Sequence, residues 1–410
     1  MPHPVSRRAF MTAAAAALAA PAVVRAQGEG PLRIGVLADM NGPYANLSGV
    51  SAVTAVRLAA EDFGKERPDI PVEVVQGDFQ LKPDIGLAVA RNWFDNGEVH
   101  AIADLPMSAL ALGVSQLARE KNRVALFSGT ATEDLTGRYC GPNHVHWTYD
   151  SHAMAATVAN AIMDRGLDSW FFIAADYAMG ASVVRDASAI IGRRGGKVLG
   201  VARHPFPGPG DFSSYLLQAQ QSGARVVCFA NAGEDLVNCV KQANEFGLAA
   251  GGITLTAMLM DVPQVHSMGL KEARGMFCST AFYWDRDGAT RAFTARLLPA
   301  TKGLRPSQNV AGAYSAALHY LRAAAAAGVP QARRDGAAVV AKMKELEVSD
   351  PLFGPARVAP NGRLMNRMYL CQVRRPEEQR YDWDYVTIAG VTPPEQAFRP
   401  MAEGACRLPA

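Results

Sequence analysis

The residues of this chain best suited to chemistry are small hydroxyl-bearing loops that follow apolar runs. Asp104-Leu105-Pro106-Met107-Ser108-Ala109 follows one run, and Ser128-Gly129-Thr130-Ala131-Thr132 follows the next. Both precede segments read as helices. A Ser or Thr at a helix start commonly caps backbone N–H groups. Helix-end N–H groups, hydroxyls and the helix dipole can also hold an anion such as a carboxylate. Two such loops at neighbouring strand ends favour ligand contact over capping alone. Tyr44 closes the loop after the first strand. In Asp176-Tyr177-Ala178-Met179-Gly180 the tyrosine could cover a ligand and still hydrogen-bond. Asn231-Ala232-Gly233 permits close backbone approach. Phe282-Tyr283-Trp284 reads equally as hinge packing or as ligand wall.

No catalytic grouping accompanies these loops. The chain has no Gly-x-Ser-x-Gly elbow, no HExxH, no P-loop and no GxGxxG after its first strand. His144 and His146 flank Val145 on one strand face without an evident third metal ligand, so core packing is expected. Asp134 is the right type for a base, but loop hydrogen bonding is the simpler reading. The expectation is a binder rather than an enzyme, with no cofactor and no metal.

The elements that position these loops alternate regularly. Leu32–Leu37, Val72–Val75, Val99–Ala103 and Arg123–Phe127 read as strands, separated by segments with helical spacing. The alternation restarts after about Tyr149, with strands at Trp170–Ala175, Lys197–Val201, Val226–Ala230, Ile253–Ala257 and Gly275–Ser279. An Ala-rich helical stretch covers Asp287 to about Glu347, and strand signals return at Arg367–Val373 and Tyr385–Ile388. The fold class is therefore α/β, with two Rossmann-like lobes of parallel sheet flanked by helices. Open parallel sheets bind ligands beyond the carboxyl ends of their strands, so the loops above line a cleft between the lobes.

The ends of the chain read differently. Residues 1–26 have a charged head containing Arg7-Arg8, a short Ala-rich apolar run and the exit Val24-Arg25-Ala26. That order reads as a signal peptide of the twin-arginine kind and implies a soluble periplasmic protein. Nothing later approaches a membrane-spanning run. The net charge of +3, without a long Lys/Arg run, points to neither nucleic acid nor an anionic membrane. Six cysteines occur in an export context that permits disulfides. Cys228, Cys239 and Cys278 lie in apolar runs and read as core, whereas a Cys140–Cys406 bridge would tie down a tail that otherwise frays.

Several stretches resemble the branched-chain amino-acid type of periplasmic binding protein. They are Ile34–Tyr44, Ser128–Thr136, Asp176–Gly180, Asp211–Ser214 and Asp350–Gly354, in that order. The resemblance implies an extracytoplasmic solute receptor for an ABC importer, with two lobes joined by three crossings, near Tyr149, Tyr283 and Asp350. Lobe 1 then comprises 31–149 and 284–349, lobe 2 comprises 150–283 and 350–385, and the tail 386–410 returns to lobe 1. In such relatives first-lobe hydroxyls and backbone N–H groups hold the ligand carboxylate. Those positions fall here on Met107, Ser108, Gly129 and Ala131, with Thr130 and Thr132 adjacent. A second-lobe aromatic falls near Tyr177 or Met179, and another falls on Ala232, a departure. The acidic residue that pairs with an amino acid's ammonium is missing from Thr256-Ala257-Met258-Leu259-Met260, with Asp261 as the sole nearby substitute. An ammonium buried without a counter-charge costs several kcal/mol. The expected ligand is therefore a small carboxylate without an α-amino group, its body resting on the adaptable Met258 and Met260; branched-chain amino-acid binding is the alternative, and an exported α/β hydrolase or a sensory ligand-binding protein is the alternative from another class.

Overall fold

The computed structural model describes residues 30–408, and the expected signal peptide lies outside them. The first series runs β1 (Leu32–Ala38), α1 (Gly49–Glu66), β2 (Val72–Asp78), α2 (Pro83–Asp95), β3 (Ala101–Asp104), α3 (Ser108–Glu120), β4 (Val124–Phe127) and β5 (His144–His146). Its five strands form a wholly parallel sheet in the order β2-β1-β3-β4-β5. β3 and β4 are buried along their full length, as expected where helices cover both faces and the strands read as continuous apolar runs.

The second series runs α4 (Ser151–Met163), β6 (Ser169–Ala175), α5 (Ala178–Arg193), β7 (Lys197–His204), α6 (Ser213–Gln221), β8 (Val226–Ala230), α7 (Gly233–Glu245), β9 (Thr254–Leu259), α8 (Val262–Met268), α9 (Leu270–Ala273) and β10 (Phe277–Thr280). The chain then returns through α10 (Gly288–Leu297), α11 (Gln308–Ala327), α12 (Val329–Ala332) and α13 (Gly336–Glu345). It ends with β11 (Arg357–Val358), β12 (Leu364–Met365), β13 (Met368–Val373), β14 (Val386–Thr392) and α14 (Pro394–Ala397). The second sheet has seven strands in the order β14-β13-β10-β9-β8-β6-β7, with β13 antiparallel to both neighbours. Two separate sheets confirm the two-lobed α/β class.

Local chemistry fixes the starts of the crossing helices. Asp150 accepts from Ala153 N at 2.8 Å and caps α4, and Asp287 accepts from Thr290 N at 3.0 Å and caps α10. β5 ends at His146 and α4 begins at Ser151, and β10 ends at Thr280 and α10 begins at Gly288, so the segments between them flank the expected crossings near Tyr149 and Tyr283. The third does not fall at Asp350. His146 N donates to Gly362 O at 2.8 Å, and His146 bridges Arg363 in parallel fashion at the β5 edge. The β11–β12 hairpin therefore extends the first lobe, and the crossing occurs at Asn366-Arg367, just before β13. Sequence reading misplaced it because two-residue strands carry no periodic signal. The tail also departs from the expected simple return: β14 pairs with β13 on the second lobe, and Cys406 is disulfide-bonded to Cys140 of the first. Between these points Arg399 reaches Glu133 of the first lobe (2.9 Å) and Asp186 of the second (3.1 Å).

Candidate ligand-binding site

Three first-lobe loops meet at the carboxyl ends of β1, β3 and β4. In the first, Asp39 accepts from Gly42 N and Tyr44 N, each at 2.8 Å, and this turn presents Tyr44. The second and third are stitched together: Ser128 N and Gly129 N donate to Asp104 O (3.2 and 3.3 Å), and Thr130 Oγ1 donates to Leu105 O at 2.6 Å. Gly129 allows a close approach, because a Cβ there would lie 3.0 Å from Pro106 Cα and 3.1 Å from Asn309 Nδ2 and its neighbours would have to give. The Tyr149 hydroxyl lies 3.0 Å from both Gly129 O and Asn309 Oδ1.

What this stitching leaves free defines the site. The N-cap of α3 is Met107, whose side chain makes no capping bond. The N–H groups of Ser108, Ala109 and Leu110 thus have no intrahelical acceptor. Ser108 Oγ is fully buried and has no partner among the described residues. Thr130 N and Ala131 N likewise make no hydrogen bond among the described residues. A buried hydroxyl and several buried donors without acceptors are costly unless something accepts from them. The donor set and the N-terminal dipole of α3 fit an anion.

The second lobe supplies a different wall. Tyr177, the N-cap of α5, meets Tyr44 hydroxyl to hydroxyl at 2.5 Å. Phe206 stacks on both rings, with centroids 5.3 Å from Tyr44 and 4.8 Å from Tyr177. Thr132 Oγ1 lies 2.7 Å from Ser182 Oγ. Gly233, at φ +63° at the start of α7, sits so close to the first lobe that a Cβ would lie 2.4 Å from Pro43 O. These contacts describe a closed gap. A cavity of about 330 Å³ opens along the same seam, lined among others by Pro43, Asn46, Gly233, Glu234 and Gln264.

The expected residues divide by what their side chains do. Tyr44, Met107, Ser108, Ala109, Ala131 and Tyr177 keep a side chain or backbone group available, whereas Gly129 spends its N–H on Asp104 O and its carbonyl on the Tyr149 hydroxyl. Ser128 and Thr130 spend their hydroxyls on Asp104 and Leu105, and Thr132 spends its own on Ser182. Ala257 lies inside β9, paired with Phe229. Met179, Ala232 and Met258 are buried. Asn231 Nδ2 turns into the second lobe, to His204 Nε2 (3.1 Å) and Cys239 Sγ (3.3 Å). Tyr283 lies at the second crossing, close enough to feel the charges of Asp285 and Asp384. Beside it Trp284 carries Arg305 over its ring and donates to Trp383 O, so Trp284 packs the hinge, while the buried Tyr283 hydroxyl has no partner among the described residues. Asp261 accepts from Thr280 Oγ1 and from Gln308 Nε2, each at 3.2 Å, and burial pushes its carboxyl up to about 6. His144 and His146 bond Leu135 O and Thr130 O, both at 2.8 Å, and Asp134 pairs with Arg138 and Arg185. Among the described residues no group of three or more potential metal ligands occurs.

Phe206, Ser182, Asn309 and Asp104 were not foreseen as site residues. Phe206 had a legible signal: the loop His204-Pro205-Phe206-Pro207-Gly208 follows the carboxyl end of β7. The other three depend on which way a helix face or strand end points.

The chain belongs to the periplasmic binding protein family, in its type I, branched-chain amino-acid transporter-like form; the family pattern matches residues 31–379. A periplasmic binding protein from Burkholderia mallei is 37% identical with a TM-score of 0.88, covering 92% of this chain and 99% of that one. A branched-chain amino-acid ABC transporter periplasmic ligand-binding protein from Burkholderia xenovorans is also 37% identical, with a TM-score of 0.81 over 92% and 99%. A solute-binding protein of an ABC transporter from R. palustris, solved with 4-hydroxybenzoate, shares the fold at 21% identity, with a TM-score of 0.80 over 89% and 97%. A search of curated proteins gives no match.

Proposed function

We propose that this protein captures a small organic carboxylate, aliphatic or aromatic and lacking an α-amino group, and delivers it to the membrane subunits of an ABC importer from the periplasm. The observation that carries the reading is the orphaned Ser108 hydroxyl beside the unpaired N–H groups of residues 108–110 and 130–131. They supply donors for a carboxylate without a buried cation. Of the acids in the second series, Asp261 already accepts from Thr280 and Gln308. Asp235 accepts from Gly208 N at 3.0 Å through Oδ1 and faces His204, while its Oδ2 is buried without a hydrogen-bond partner among the described residues. R. palustris relatives of the same fold were solved with benzoate, 4-hydroxybenzoate and 3,4-dihydroxybenzoate, which agrees with the reading. The Burkholderia xenovorans relative keeps branched-chain amino acids as the competing ligand class. Closure about the crossings creates contacts with both lobes that an open form lacks, and the importer would sense that closed form.

Thermal shift and calorimetry of the mature protein against benzoate, 4-hydroxybenzoate, short aliphatic acids and leucine decide between the classes. The des-amino acids are expected to bind. A leucine response with no response to any des-amino carboxylate overturns the ligand class, and turnover of an ester or peptide overturns the binder reading.

A further inference from the structure

Asp104 is the residue of the anion loops that the binding reading leaves unexplained. It ends β3 and begins the loop to α3, and it is fully buried. Asp104 and Leu105 both adopt left-handed backbone, at φ +80° and +60°, a region that non-glycine residues seldom occupy. Such geometry persists only where the surroundings enforce it. Here the stitch from Ser128 N and Gly129 N to Asp104 O enforces it, and it accompanies a carboxyl held inside the lobe.

The groups around that carboxyl are neutral or negative. Ser48 Oγ, from the loop before α1, donates to it, and Ser128 Oγ, from the end of β4, lies at 3.4 Å. Asp39, from the end of β1, adds a like charge; Tyr149, from the first crossing, is near enough to feel the charge of Asp104. Asn309 of α11 flanks the same Gly129 with a neutral amide. No Lys, Arg or His among the described residues forms an ion pair or hydrogen bond with it. The carboxyl is pushed up to about 7, first by burial and then, against the two serines, by Asp39. Gly129, whose Cβ position lies 3.2 Å from Asp104 Oδ1, immediately precedes the free N–H groups of Thr130 and Ala131.

We propose that Asp104 couples capture to proton uptake: it is neutral whenever a carboxylate occupies the anion loops, so the bound protein holds a proton that the free protein can release. The inference rests on the carboxylate reading of the site, but only on the anionic group, which an amino acid also carries. A like charge disfavours ionisation of a buried acid, so the bound state retains the proton to higher pH than the free state. Affinity is therefore full below pH 7 and falls as pH rises through it.

Calorimetry with benzoate and, in parallel, leucine, in phosphate and in Tris from pH 5.5 to 9, tests this. Whichever probe binds is expected to bring uptake approaching one proton at pH 8, with Kd weakening about tenfold per pH unit above 7. Asp104→Asn is expected to abolish the uptake and leave Kd flat, with its melting curve checked alongside. Ser48→Ala removes a donor that favours the charged form and is expected to move the midpoint upward. A wild-type Kd independent of pH, or an unchanged profile in Asp104→Asn, overturns the proposal. Binding of leucine alone with full proton uptake would overturn the ligand class and support the role of Asp104.

Discussion

The two walls of the gap are built on opposite principles. The first-lobe wall is backbone: loops 104–109 and 128–132 bond to each other, and their spare N–H groups are fixed by that bonding. The second-lobe wall is side chain: Tyr177, Phe206 and Ser182 meet Tyr44 and Thr132 of the other lobe with groups that have rotamers to spend. Pre-organised backbone donors lose little freedom on binding an anion, whereas adaptable side chains can follow the shape of different ligand bodies. The first wall should therefore decide whether a carboxylate binds, and the second which one.

The largest expected effect lies where the two regions are tied together. The Cys140–Cys406 bridge closes a loop of sequence separation 266 and anchors to the first lobe a tail that begins on the second. Cys140→Ser is expected to cost about 2–5 kcal/mol, the usual loss when a native disulfide is removed. Denaturant unfolding checks this, and an unchanged midpoint would mean that the lobes do not need the tie.

Next comes the first wall. Gly129→Val drives a branched side chain against Pro106 and Asn309 and is expected to weaken carboxylate binding by about 100-fold, or roughly 3 kcal/mol. Phe206→Leu on the second wall removes the ring that stacks on Tyr44 and Tyr177 and is expected to change affinity by under about 1.5 kcal/mol while reordering preference among ligand bodies. Equal losses in the two variants, read by calorimetry, would break the contrast between the walls. Smallest is Tyr177→Phe, which removes one hydroxyl from the contact with Tyr44. A loss of about 1 kcal/mol in affinity is expected, with closure still visible by small-angle scattering because Phe206 keeps its stacking.

Much of this was legible before the structure. The period-2 and period-3.6 runs specified strands and helices, and the strand-end rule pointed to the loops that carry Ser108, Gly129 and Tyr177. The same rule applied to β7 would have found Phe206. It did not foresee that the Thr130 hydroxyl bonds Leu105 O, leaving only its N–H free, or that Asn231 Nδ2 turns to His204 while Asn231 Oδ1 and the Tyr283 hydroxyl stay buried without a partner. Residue type states what a side chain is able to donate or accept; it does not state where the side chain points.

The sequence alone determined the α/β class, the two-lobed layout and the loops that follow β3 and β4, because periodicity and helix-start chemistry are local. Tertiary structure decided the third crossing at Asn366-Arg367, the engagement of Asp261 by Gln308, and the burial of Asp104 between Ser48 and Ser128. Each of these joins residues far apart in the chain, and a contact of that kind exists only once both sheets have formed and chosen their neighbours.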